Sequence, residues 1–166
     1  MNSWLTMSIV FHLVGAGMIF TVLLAGPIVE ANFRWENDVR MKQHAAKLLR
    51  SIGLLSPFGA LILVLSGITN MVILDITFAS LFGGSATWLG VKLILFVILL
   101  IIGMTVNPKI SRQRAAVLDQ MTQINPPESG TDTLASLNAR QTISFLFQWI
   151  IVVLILLLTI VRPWSH

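Results

Sequence analysis

The sequence predicts an all-α integral membrane protein built as a bundle of four helices. Three observations carry this. Apolar residues make up 55% of the 166 positions and charged residues 11%, less than half the charge of an average soluble domain. Four segments are apolar for about the 20 residues a helix needs to cross a bilayer. Between them, the Lys and Arg residues gather in two of the three connections. A soluble chain of this length has too much surface to cover with so few charges, and the mean hydropathy of +0.85 agrees.

The first span is read over 4–29. It is too long for a signal-peptide core and has no basic stretch before it, so it belongs to the mature chain. The second runs over 51–74, with Pro57 expected to kink it and Ser56 to satisfy freed backbone groups. The third covers 88–106 and is interrupted by a single charge, Lys92; Pro108 is expected to stop it. The fourth covers 142–162. All four form one transmembrane domain over 1–166.

The connection 30–50 carries Arg34, Arg40, Lys42, Lys47 and Arg50, and the connection 107–141 carries Lys109, Arg112, Arg114 and Arg140. The stretch from Asp75 to Thr87 has neither Lys nor Arg. The positive-inside rule therefore places the two basic connections in the cytoplasm and both termini on the other side. Trp4, Trp88 and Trp164 fall at the expected outer ends, where an aromatic belt belongs. Arg162 departs from the rule and is read as snorkelling to headgroups. From Asp38 to Arg50 there is no Gly or Pro, which predicts a helical extension of the second span. Ile110 to Ile124 reads as a short helix at the membrane surface or projecting into the cytoplasm, and 125–130 as a turn or loop. The net charge of +4 is thus a topology signal and not a nucleic-acid footprint.

The absence of Cys excludes disulfides, thiolate catalysis and iron–sulfur clusters. There is no P-loop, dinucleotide-binding glycine pattern, HExxH or nucleophile elbow. The Gly15–Gly17 pair lies inside a span and has no phosphate-binding meaning. The seven methionines are spread along the chain without the clusters that soft copper favours.

Two ionisable residues remain inside the spans, where such groups are costly and mark sites. His12 lies eight residues in from Trp4, about 12 Å, and Lys92 four in from Trp88, about 6 Å. Both fall in the outer half of the bilayer. His12 suits either axial ligation of a haem iron or a hydrogen bond to a neighbouring helix. Gly15 and Ala16 share its face, leaving room for a flat macrocycle or allowing close helix approach. Lys92 suits a propionate or substrate carboxylate, an amine ligand, a proton carrier, or plain snorkelling. Ser66 and Gly67 read as packing positions, and His44 as part of a solvated basic segment. With one embedded histidine, a single chain cannot hold a haem between two imidazoles. Lys92, a Met, an open iron position or a second chain must complete the site.

The order of His12 in the first span, Arg50 before the second, and Trp88 with Lys92 opening the third resembles the HemJ-type protoporphyrinogen IX oxidases and the related CopD-like membrane proteins. The strings are Phe11-His12-Leu13-Val14-Gly15, Ser56-Pro57 with Ser66-Gly67-Ile68, and Trp88-Leu89-Gly90-Val91-Lys92-Leu93. They cover roughly the first two-thirds of the chain. The resemblance implies a four-helix bundle that binds haem b, with His12 as metal ligand, Gly15, Trp88 and Lys92 at the cofactor, and Arg50 and Lys92 serving activity. It also implies a porphyrin substrate, a quinone or respiratory partner for the electrons, and a bacterial inner membrane. A homo-oligomer sharing the site is compatible with it. The alternative is a non-enzymatic membrane subunit, or a CopD-like metal-handling protein, without haem. A third possibility is a small transporter with His12 and Lys92 as a proton relay, against which stands the lack of an inverted repeat.

Overall fold

A computed structural model describes residues 3–83, 86–122 and 130–160. Every regular element among them is helical: α1 (Ser3–Trp35), α2 (Val39–Gly53), α3 (Leu55–Ile73), the short α4 (Ser80–Gly83), α5 (Thr87–Ile101), a π turn (Ile102–Val106), α6 (Asn107–Met121) and α7 (Gly130–Ile160). These join into four rods of 31 to 35 residues, each long and apolar enough to cross a membrane. At 1.5 Å per residue they reach roughly 46–52 Å, against a hydrocarbon layer of about 30 Å. The excess lies at one end, where the polar sequences of α2 and α6 and the first turns of α7 carry most of the Lys and Arg.

The bundle therefore has two cores in series. Within the apolar length, Ile19 and Leu23 of α1, Ala60 of α3, Leu99 of α5 and Ile151 of α7 pack together. In the polar extension, Phe33 of α1, Leu118 of α6 and Leu134 of α7 form a second cluster covered by Val39, Ala45 and Ala46 of α2. The outward faces of the apolar length are rich in exposed Leu, Ile, Val and Phe, such as Leu13, Leu61, Ile94 and Leu146. Lipid is the solvent that suits them. The packing partners of α1 are chiefly α3, α2 and α7; α5 packs on α7.

Three helix ends differ from the expected spans. Helix α1 continues past 29 to Trp35, with Pro27 inside it. Its polar last turns remain helical because Glu30 and Phe33 are buried against neighbouring helices. Pro108 does not stop the third rod: it sits in the first turn of α6, directly after the π turn. The wider i→i+5 winding relieves the ring-to-carbonyl clash that a proline makes in a regular α-helix. The segment expected as a separate surface helix is consequently the continuation of the third rod. Likewise α7 begins at Gly130, a full three turns before 142. Residues 161 and 162 of the expected fourth span, Trp164 and Arg162 with it, lie outside the described residues.

The second rod is interrupted at Leu54, between α2 and α3. Pro57 has no N–H to offer the carbonyl of Gly53 four residues earlier, so the break falls one turn ahead of the proline. Helix α3 ends in a Schellman turn: Ile76 N–H bonds Met71 O at 2.9 Å and Asp75 N–H bonds Val72 O at 3.3 Å. Asp75 holds the required left-handed backbone at φ 53, a conformation an aspartate tolerates better than most side chains. In the following connection Leu81 is buried and its carbonyl rests on Gly90. A Cβ at Gly90 would stand only 2.1 Å from that oxygen, so only glycine lets α4 seat on α5.

Candidate functional site

The α1–α3 interface is built on glycine. A Cβ added at Gly15 would meet Gly59 O at 2.9 Å and Leu63 N at 3.0 Å, and one at Gly59 would meet Gly15 O at 3.0 Å. The two backbones touch, as small residues permit in membrane helices. The space beside Gly15 is therefore filled by α3. One turn nearer the N-terminus of α1 the contact becomes polar. Ser8 Oγ donates to Ser66 O at 3.1 Å, and His12 Nδ1 lies 3.0 Å from Ser66 Oγ.

The Ser66 hydroxyl decides the state of the imidazole. Its Oγ lies 2.6 Å from Ile62 O, so its single proton is spent on its own helix. It can then accept from His12 in the tautomer that carries the ring proton on Nδ1, which leaves the lone pair on Nε2. No described residue donates a hydrogen bond to Nε2. This is the tautomer and orientation that a metal-ligating histidine takes when a second group grips its other nitrogen. Ser66, expected as a packing position, is that second group. The signal was its small polar side chain in an otherwise apolar helix.

Lys92 is held differently. Its Nζ stands 4.3 Å from the centre of the Trp88 ring, one turn back on the same helix. A ring face attracts an ammonium group, so Trp88 is a suitable neighbour for a lysine cation. His12 takes its partner from α3 while Lys92 takes one from α5. Arg50 is exposed in the last turn of α2. Sixteen residues separate it from Ser66, roughly 24 Å along the rod, so it stands well away from His12. Trp4 is exposed at the opposite end of α1, and Trp149 packs edge-on against Phe20 with centroids 6.0 Å apart. His44 Nδ1 donates to Arg40 O at 3.1 Å on the surface of α2.

A second polar centre joins α1, α6 and α7 at the end of the span that continues into the basic extension. Arg114 of α6, counted in the sequence among the topology charges, is buried at 3% exposure beside Glu30 at 4%. Its guanidinium donates to both Glu30 carboxylate oxygens, at 2.6 and 2.5 Å, and to Asn138 Oδ1 at 2.5 Å. The guanidinium also lies 4.8 Å from the centre of the Phe33 ring. Arg34 completes the group, bonding Glu30 at 3.2 Å and the Asn138 carbonyl at 2.7 Å. Further along α7, Asn107 Oδ1 accepts from Ser144 Oγ at 2.7 Å and Gln141 Nε2 at 3.3 Å, and Gln148 Nε2 reaches Ser144 Oγ at 3.1 Å. The 141, 144, 148 spacing puts these side chains on one helical face; with Asn107 they form a buried polar strip.

Neither of these networks offers an imidazole nitrogen: the Glu30 carboxylate accepts from two arginines and the strip is built of amides and a hydroxyl. Among the described residues no three of His, Asp and Glu gather to hold a bare ion. A single imidazole donor fits a metal that arrives with its own macrocycle. Comparison with family models, curated proteins and solved structures gives no match.

Proposed function

We propose that the chain is an integral membrane haem b protein with a redox role, of the kind its resemblance to HemJ-type and CopD-like proteins implies. The observation that carries the reading is the His12–Ser66 pair. An imidazole inside a span is costly, and this one is fixed through Nδ1 with Nε2 available as a ligand. Bound haem b supplies a one-electron iron couple. His12 Nε2 would hold the iron and Ser66 would keep the ring from rotating. Lys92, as a cation over Trp88, would neutralise a propionate or a substrate carboxylate, with Trp88 shielding it from lipid. Electrons taken from a porphyrin-type substrate would pass to a quinone or respiratory partner.

The two basic connections support an orientation with the polar extension in the cytoplasm and the termini outside, and the resemblance supports a bacterial inner membrane. Arg50 then lies near the inner interface, in reach of a partner there and not of the haem. Absorbance of the purified protein tests the reading. A Soret band that is lost in His12→Ala, with helix content unchanged, is expected; a wild-type protein colourless after expression with ample haem would overturn it. The close Gly15–Gly59 contact favours a second reading, a non-enzymatic membrane subunit in which His12 only ties α1 to α3. Under that reading the pure protein is colourless and retains stoichiometric partners.

A further inference from the structure

A groove of about 530 Å³ opens between the π turn, α6 and α7, at the level where apolar sequence gives way to the basic extension. Its polar lining includes Lys109, Arg140 and Gln113, and its apolar wall Val106, Ile110 and Ile143. Among the described residues no carboxylate lines it. Lys109 and Arg140 are exposed, and neither has an ion-pair or hydrogen-bond partner among the described residues. They come from different helices, α6 and α7, so the fold brings together two charges 31 positions apart. Below them Ile143 and Val106 continue into the exposed apolar surface of the span, 66% and 40% exposed respectively. The π turn, a rare winding that recurs at functional sites, forms the edge of the groove.

We propose that this groove binds an anionic phospholipid, its phosphate between Lys109 and Arg140 and its chains along Ile143 and Val106. Two unpaired cations above an apolar wall complement a group that is anionic at one end and apolar at the other. Basic pockets between helices on the cytoplasmic side take such headgroups. A free phosphate shares the charge but leaves the apolar wall uncovered, so the lipid is the occupant that satisfies both halves. Gln113 would donate its amide to the headgroup oxygens.

Native mass spectrometry of the full chain in detergent, titrated with phosphatidylglycerol or phosphatidylcholine of matched chains, tests this. Phosphatidylglycerol is expected to bind preferentially. In Lys109→Gln/Arg140→Gln its affinity is expected to fall about 30-fold, two basic contacts' worth, with helix content intact. The charge-preserving Lys109→Arg/Arg140→Lys should retain binding, and Lys42→Gln/Lys47→Gln, which removes two charges elsewhere, should bind as wild type does. Equal loss in the two neutralised pairs would overturn the site, as would undiminished selectivity in Lys109→Gln/Arg140→Gln. Competition by millimolar inorganic phosphate as effective as by the lipid would overturn the lipid as occupant.

Discussion

The Glu30–Arg114 pair is the most exacting test of the polar extension of the bundle. Both side chains are almost fully withdrawn from solvent, at 5% and 3% side-chain exposure. Removing one partner strands the other charge in a region that cannot hydrate it, which costs about 3–5 kcal/mol. The surroundings refine that range for each variant. Arg114→Met leaves Glu30 with Arg34 still 3.2 Å away, so about 3 kcal/mol is expected. Glu30→Leu leaves a guanidinium with only Asn138 Oδ1 and the Phe33 ring for company, so the upper part of the range is expected. Arg34→Ala, whose side chain is 37% exposed, should cost about 1 kcal/mol or less. The double variant Glu30→Leu/Arg114→Met removes both charges and fills the space with apolar volume. Its cost should fall well below the sum of the singles, since apolar replacement of a buried pair is often nearly neutral. Unfolding in mixed micelles with increasing dodecyl sulfate, followed by circular dichroism, measures all four. A cost under about 1 kcal/mol for Arg114→Met or Glu30→Leu, or a double variant as costly as those two together, would contradict a buried, mutually compensating pair.

Four further outcomes are expected. Ser66→Ala should free the His12 ring and lower haem retention by about 10–100-fold, the usual effect of losing a group that orients a ligand, read as haem per protein after dilution; unchanged retention would contradict the tautomer argument. Gly15→Leu should destabilise by at least about 1–3 kcal/mol through overpacking against α3, while Gly17→Leu, where an added Cβ meets nothing within 4 Å, should be nearly neutral by the same unfolding assay. Asn107→Ala should cost about 1–3 kcal/mol, because it strands the buried Ser144 and Gln141 donors; an unchanged midpoint would argue against the polar strip. Asp75→Gly should stabilise by up to about 1 kcal/mol by relieving a left-handed backbone, seen as a later unfolding midpoint.

The four rods were legible in the sequence because bilayer crossing depends on apolar length, which composition alone reports. The rod ends were less so. Glu30 and Arg34 look like the first charges of a loop, and Arg114 like one more topology charge. Their pairing across 84 positions depends on how α6 folds back on α1, which periodicity does not encode. A hint was present: Glu30 and Arg34 are one turn apart, and Asn138, Gln141, Ser144 and Gln148 recur at helical spacing across the expected start of the fourth span. Pro108 misled because a proline is read as a stop, whereas a π turn just ahead of it lets the helix continue. At the candidate site His12 stood out in the sequence as a costly group in an apolar run. Its partner did not, since a serine in a membrane helix more often bonds its own backbone. Ser66 does that and also lies 3.0 Å from His12 Nδ1, which is why the pair emerges only when α1 and α3 are placed together.

Whether His12 presents Nε2 to a haem iron is read from the absorption spectrum of the purified protein, oxidised and reduced. A Soret band is expected in the wild type, shifting on reduction and disappearing in His12→Ala while the helical spectrum stays the same. A colourless wild-type protein, or a His12→Ala variant with an unaltered Soret band, would contradict it.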